Sequence, residues 1–254
     1  MTDPSATSHR SRRALVVRGG WEGHVPVEAT DRFLPFLQEQ GFDVRVEDSP
    51  EVYADAEAMA ATDLVLQCYT MGTASDEAVA GLRSAVAAGT GFAGWHGGIA
   101  DSFRNTSDYL HLVGGSFACH PPRDPAHPKG DQTDNYVSYV VNVLPAQRDH
   151  PVVTGIEDFE LYSEQYWVIS DDYIDVLATT TQAVRPGDPW HRPVVSPAVW
   201  TRSWGEGRVF VATPGHSLDV LDDPNVRTIV ERGLLWASHG SDAPYGVAGA
   251  ERSA

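Results

Sequence analysis

The apolar pattern of the chain changes partway along its length. Ala14-Leu15-Val16-Val17 is a continuous apolar run, as expected of a strand buried on both faces of a parallel sheet. Val27, Phe33, Leu34, Phe36 and Leu37 predict a helix stopped by Gly41, with Pro35 either kinking it or marking its true start. Phe42 to Val46 alternates as a strand, Ala54 to Ala61 reads as a short helix, and Asp63 to Tyr69 is a third strand. Ser75 caps a further helix whose buried stripe is Ala78, Val79, Leu82 and Val86 and whose stop is Gly89. A fourth apolar run, Gly91-Phe92-Ala93-Gly94-Trp95, then enters a glycine-rich turn. Strands alternating with helices in this way predict a doubly wound, mostly parallel α/β sheet. Right-handed crossovers place the carboxyl ends of its strands on one edge, where such sheets bind ligands.

Further on, Val137 to Leu144, Phe159 to Ile169 and Ile174 to Thr179 alternate without long intervening helices, which predicts an antiparallel C-terminal extension. In it Glu160, Tyr162, Glu164 and Tyr166 share one face. Val199 to Trp204 and Arg208 to Thr213, joined at Gly205-Glu206-Gly207, read as a hairpin, and Val226 to Trp236 as a closing helix. The whole reads as one domain over residues 14–240 between disordered tails at 1–13 and 241–254. The polar, proline-rich stretch from His120 to Asn135 is either a functional loop or simple disorder.

Gly94-Trp95-His96-Gly97-Gly98 has the form of a nucleophile elbow with imidazole in place of serine or cysteine. The plainer reading is a glycine-rich turn that happens to carry a histidine. Company favours chemistry: His24 follows the first strand, His216 follows the hairpin, His120 opens the long loop, and Glu164 lies on an alternating strand. His24, His96 and His216 are therefore expected to meet at the sheet edge and, with a carboxylate, to suit Zn²⁺ or another divalent metal. Without metal, Glu164 with His96 or His120 supplies an acid and base pair next to a carbonyl. Trp21, Trp95 and Trp200 are either platforms for sugar rings or core, and Tyr166 lines the pocket or joins the core. Asp101 either orients His96 or caps the following helix. His111, His127, His150 and His191 read as surface or loop residues.

Composition narrows the partners. With 18 Lys+Arg against 35 Asp+Glu, the formal charge of −17 repels phosphate backbones and anionic lipid, which argues against nucleic acid and membrane partners. Seventeen prolines and seven tryptophans suit ordered loops around a neutral polar small molecule such as a sugar. Two cysteines are too few for a disulfide framework, and no apolar h-region of a signal peptide lies between Arg10, Arg12 and Arg13 and the first strand, so a reduced, cytoplasmic protein is expected. No nucleotide cofactor is expected, and a homo-oligomer is left open.

In combination these segments resemble the ThuA-like family, named for trehalose utilisation. The resemblance is carried by the loop ending in His24, by Gly94-Trp95-His96-Gly97-Gly98 with Asp101-Ser102-Phe103, and by Gly114-Gly115-Ser116-Phe117 leading to His120-Pro121. Glu164-Gln165-Tyr166, Pro197 to Thr201, Gly205 to Val209 and Gly215-His216 complete it, so that it spans about residues 14–238. It implies the flavodoxin-like core of class I glutamine amidotransferases and a role in sugar metabolism, on oxidised (keto) sugars or disaccharides made by partner dehydrogenases. His96 stands where those amidotransferases carry cysteine, so glutamine hydrolysis through a thioester is not expected. The expected activity is that of a sugar lyase, hydrolase or isomerase; the alternative is a non-catalytic sugar-binding or regulatory module of the same fold.

Overall fold

The computed structural model describes residues 11–121 and 135–238. The tail expected at 241–254, most of the one expected at 1–13, and the body of the proline-rich loop lie outside the described residues. The first strand, β1 (Arg12–Gly20), begins ahead of the apolar run. Arg12 lays its guanidinium 4.2 Å over the Phe42 ring, and the Arg13 amide donates to the Asp63 carboxylate at 2.7 Å.

After β1 come α1 (Pro26–Asp31), α2 (Leu34–Glu39), β2 (Phe42–Glu47), α3 (Ala56–Ala60), β3 (Leu64–Thr70) and α4 (Asp76–Ala87). Then follow β4 (Gly91–Trp95), α5 (Gly97–Ala100), α6 (Ser107–Val113) and β5 (Gly115–Cys119). From residue 136 onward the elements are β6 (Tyr136–Val143), β7 (Phe159–Glu164), β8 (Trp167–Ser170), β9 (Asp175–Gln182), β10 (Val194–Trp204), β11 (Gly207–Ala212), α7 (Leu218–Leu221) and α8 (Pro224–Ser238). Two helices replace the single one expected over 27–37, because Pro35 lacks an N–H and is accommodated only in the first turn of α2. The helix expected from Ala54 starts at Ala56, since the Asp55 carboxylate caps it by accepting from Glu57 N and Ala58 N at 3.0 Å.

Nine strands form one sheet in the order β2-β1-β3-β4-β11-β10-β9-β6-β7. The first five are mutually parallel, and the remainder join antiparallel, as the change in pattern predicts. Neighbouring residues on each strand serve opposite layers. Ala14, Val16, Leu66, Ala93, Trp95 and Phe210 pack with α2 and α8, whereas Leu15, Val17, Val65, Phe92 and Val211 pack with α4 and α6. Each such fully buried large side chain contributes about 1.5–3 kcal/mol of transfer free energy. Among the described residues no helix is long and apolar enough to cross a membrane.

The stretch 159–169, expected as one strand, is two. Glu164, Gln165 and Tyr166 are all buried, which a continuous alternating strand with one solvated face does not allow. The chain leaves the main sheet after β7, and β8 instead pairs with β5 in a small two-stranded sheet, its Val168 amide donating to Ser196 Oγ at 2.7 Å. β6 pairs with β9 through Asn142 and Val143 near its end, while Tyr136 at its start reaches over to Ser217, donating to its hydroxyl at 3.0 Å. The β6–β7 ribbon therefore curls across the carboxyl edge of the parallel strands and delivers Glu164 there.

α5 lies directly on β3: an ideal Cβ on Gly98 would stand 2.7 Å from Cys68 Cα, a backbone atom of a central strand that cannot retreat. Gly98→Ala is accordingly expected to destabilise the fold by about 1–3 kcal/mol through overpacking. Urea unfolding should show a lower midpoint with an unchanged slope; an unshifted midpoint would mean that α5 has slack against β3.

Candidate functional site

The carboxyl edge carries His96 on a strained turn. Its backbone sits at φ 50°, ψ −143°, outside the regions open to most L residues, at a cost on the order of 1–3 kcal/mol. What holds it there begins with two carbonyls of the chain leaving β11. His96 N donates to Ala212 O at 2.6 Å, and His96 Nδ1 lies 2.6 Å from Thr213 O. A carbonyl only accepts, so Nδ1 carries a proton, and in the neutral ring that burial favours Nε2 carries a lone pair. That lone pair faces Glu164 Oε2 at 3.2 Å.

His24 arrives from the other side. A 3₁₀ turn, Glu22–His24, follows β1, and His24 Nδ1 bonds Thr70 Oγ1, at the end of β3, at 2.7 Å. Its ring centroid is 4.6 Å from that of His96 and 5.0 Å from that of His216. Gly97 makes this approach possible, because a Cβ there would fall 2.5 Å from His24 Cε1. His216, after β11, brings Nδ1 to 2.9 Å from Glu164 Oε2. Its direction is wrong for a hydrogen bond, so the buried Nδ1 has no hydrogen-bond partner despite that closeness.

One ligand atom from each of His24, His96, Glu164 and His216 thus lies within 4.8 Å of the others, and all four residues are buried. A tetrahedral ion with bonds of about 2 Å separates its ligand atoms by about 3.3 Å. Two nitrogens this close to one carboxylate oxygen, His96 Nε2 at 3.2 Å and the unpartnered His216 Nδ1 at 2.9 Å, fit ligands that converge on a common point, and the donor set of imidazoles plus carboxylate suits a divalent cation. The Thr213 carbonyl and the Thr70 hydroxyl are the outer partners that hold two of the imidazoles in orientation.

A cavity of about 370 Å³ opens onto this cluster, lined by Trp21, His24, Met71, Asp101, Arg104, Phe117, His120, Asn135, Glu164 and Tyr166. His120 Nδ1 faces Gln165 O at 3.3 Å, and its Nε2 lies 3.5 Å from Glu164 Oε2. Tyr166 stacks on the His96 ring at 4.2 Å and, with its phenol raised by burial, keeps its proton. Trp21 is 45% exposed at the rim, its ring edge-on to His24 at 4.8 Å.

Two expectations are corrected. Trp95 is no sugar platform: it shares its strand face with Ala93, is 1% exposed, and packs on Phe33 at 4.8 Å on the side of the sheet away from the cavity. Trp200 is likewise core, its Nε1 donating to Val113 O at 3.0 Å. Asp101 neither touches His96 nor caps α6, whose N-cap is Thr106; its carboxylate forms a two-point pair with Arg104 Nε and Nη2 on the cavity wall. Arg104 and Thr70 escaped sequence reasoning. The three-residue spacing of Asp101 and Arg104, and a hydroxyl residue closing an apolar strand at Thr70, were the available signals.

An α/β protein with three imidazoles and one carboxylate gathered at the carboxyl edge of its parallel strands is thereby defined. The chain belongs to the ThuA family, described as trehalose utilisation, which matches residues 13–237. Among solved structures, a ThuA-like protein from Bacteroides uniformis is 18% identical with a TM-score of 0.67, covering 93% of this chain and 95% of its own. One from Parabacteroides merdae is 18% identical with a TM-score of 0.66, covering 90% of each chain. A cytoplasmic protein from Salmonella typhimurium is 16% identical with a TM-score of 0.57, covering 89% of this chain and 99% of its own. At these identities the likeness is one of fold. No curated protein matches the sequence.

Burial, reinforced by the imidazoles of His96 and His216, pushes His24 from the ordinary 6.5 down to about 2. Burial also lowers His96, against the upward pull that the Glu164 carboxylate would exert on a protonated ring. Burial alone would raise Glu164, but His216 and His96 beside it outweigh that and hold it well below the usual carboxylate range. Between pH 6.5 and the folded values, the unfolded chain binds protons that the folded imidazoles refuse, so stability falls as pH drops below 6.5. In metal-free protein the unfolding free energy should decline from pH 7 to 5 by up to about 1.4 kcal/mol per pH unit for each such proton. His24→Gln should flatten that decline; an identical slope in the variant would remove His24 from the titration.

Proposed function

We propose that this chain is an enzyme of carbohydrate metabolism that holds a divalent ion, Zn²⁺ or a similar metal, on His24, His96, His216 and Glu164 and acts on a keto-sugar or disaccharide. The observation that carries the reading is the convergence on Glu164 Oε2: the His96 Nε2 lone pair at 3.2 Å and an unpartnered His216 Nδ1 at 2.9 Å, both buried beneath a cavity. Lone pairs crowded in this way want a cation between them. The family's description, trehalose utilisation, supplies the substrate class. The finer fold reading is flavodoxin-like, as in class I glutamine amidotransferases, and the parallel order β2-β1-β3-β4-β11 supports it. A cytoplasmic setting is in keeping with the Salmonella relative's description.

A bound divalent ion supplies Lewis-acid polarisation of a substrate carbonyl. The chain's own groups do the rest. His120, on the cavity wall, is placed to take a proton from the carbon next to a substrate carbonyl, the C–H electron pair passing to the carbonyl oxygen. Tyr166 offers a phenolic O–H, the Asp101–Arg104 pair offers an acceptor and donors to vicinal hydroxyls, and Trp21 offers a flat apolar face to a sugar ring.

Turnover of a panel of keto-disaccharides by protein purified without a polyhistidine tag tests this reading. Activity should vanish on chelation, return on adding Zn²⁺ or Mn²⁺, fall by at least about 10³-fold in His96→Ala, and fall by about 10²–10⁴-fold in His120→Ala, the usual range for a general base. Metal-free protein with full activity in chelator would contradict the metal, and binding of sugars with no conversion would contradict the enzyme.

A further inference from the structure

Beneath the elbow, in the same layer as α4 and α6, lies a second set of buried polar groups. α5 is a single turn whose four residues are all buried, so its last carbonyls have neither an intrahelical partner nor water. Side chains take that place. Gln67 Nε2 donates to Gly98 O at 3.1 Å, Ser102 Oγ donates to the same oxygen at 3.0 Å, and Tyr109 OH donates to Ile99 O at 2.8 Å. The amide of Gln67 is itself fixed: Nε2 also donates to Tyr109 OH at 2.6 Å, and Oε1 accepts from Tyr53 OH at 3.0 Å. Gln67, Ser102, Tyr53 and Tyr109 are fully buried, and none lines the cavity.

This network reaches His96 through the backbone. Ala100 N donates to His96 O at 2.9 Å, so the turn that Gln67 holds is the turn that closes on the histidine. A residue at φ 50°, ψ −143° stays there only when its surroundings over-determine it. Thr213 O orients the ring from one side; the other restraint is α5, pinned to β3 by the Gln67 amide.

We propose that Gln67 is a positioning residue: through Gly98 O it fixes α5, and through α5 it holds His96 in the strained conformation that aims Nε2 at Glu164, thereby setting the affinity of the four-residue cluster for a divalent cation. This rests on the metal reading of the cluster and adds to it a group that touches neither metal nor substrate. Replacing Gln67 by leucine takes a donor from Gly98 O and Tyr109 OH and an acceptor from Tyr53 OH, so the elbow loses its anchor while the core keeps its volume.

Titration of metal-free protein with Co²⁺, followed by its visible absorption and by the melting temperature, tests the proposal. The wild-type chain should bind one Co²⁺; Gln67→Leu should bind about ten- to hundredfold more weakly, as outer-shell substitutions do, with an altered absorption band. Leu177→Ala in β9, a buried site away from the elbow, should lower the melting temperature while leaving Co²⁺ affinity within about twofold, which separates positioning from general destabilisation. Should Gln67→Leu fail to fold, Tyr109→Phe carries the same expectation. A folded Gln67→Leu with wild-type affinity and band overturns the positioning role while leaving the metal reading intact; a wild-type chain that binds no Co²⁺ overturns the metal reading, and the proposal with it.

Discussion

Because a carbonyl oxygen only accepts, the 2.6 Å contact between His96 Nδ1 and Thr213 O decides where the imidazole proton sits, and the rest of the site follows from that. With the proton on Nδ1, the Nε2 lone pair faces Glu164 Oε2 across 3.2 Å of buried space. Two acceptors so placed repel unless positive charge lies on or between them; His216 crowds the same region, and burial lowers both His24 and His96, keeping those rings from protonating easily. A divalent cation is the economical resolution, since it needs neutral imidazoles and an ionised carboxylate, the very states this environment favours.

The fold serves that arrangement at several points. β4 must end in an elbow to lift His96 out of the sheet, β11 must lie beside it to offer Ala212 O and Thr213 O, and β1 must lead into a turn short enough to return His24 over Gly97. Glu164 comes from the opposite margin of the sheet, and only the curl of the β6–β7 ribbon brings it home. Parallel strands thus supply the imidazoles and antiparallel strands supply the carboxylate. Membership of the ThuA family places this division of labour in a fold shared with the Bacteroides and Parabacteroides proteins.

The parallel half was readable from sequence because strands buried on both faces, such as Ala14 to Val17 and Leu64 to Leu66, have no choice but to be apolar throughout. Histidines placed just after such strands were readable for the same reason: crossover handedness collects strand ends at one edge. Trp95 was misjudged where alternation held the answer, for a residue on the Ala93 face cannot share a side with its neighbour His96. The break at Gln165 was hidden because four consecutive buried residues, Ser163 to Tyr166, violate strand alternation only once the cluster they serve is known. Arg104 and Thr70 were missed because their roles are relational: each matters through a partner, Asp101 or His24, that sequence spacing does not single out.

X-ray diffraction from crystals of the zinc-loaded protein, with data collected on both sides of the zinc absorption edge, tests the central claim most directly. A single anomalous peak bonded at about 2 Å to one nitrogen each of His24, His96 and His216 and to a Glu164 oxygen is the result this account requires. No peak at the cluster, with His96 Nε2 hydrogen-bonded to Glu164 alone in well-ordered density, would contradict it.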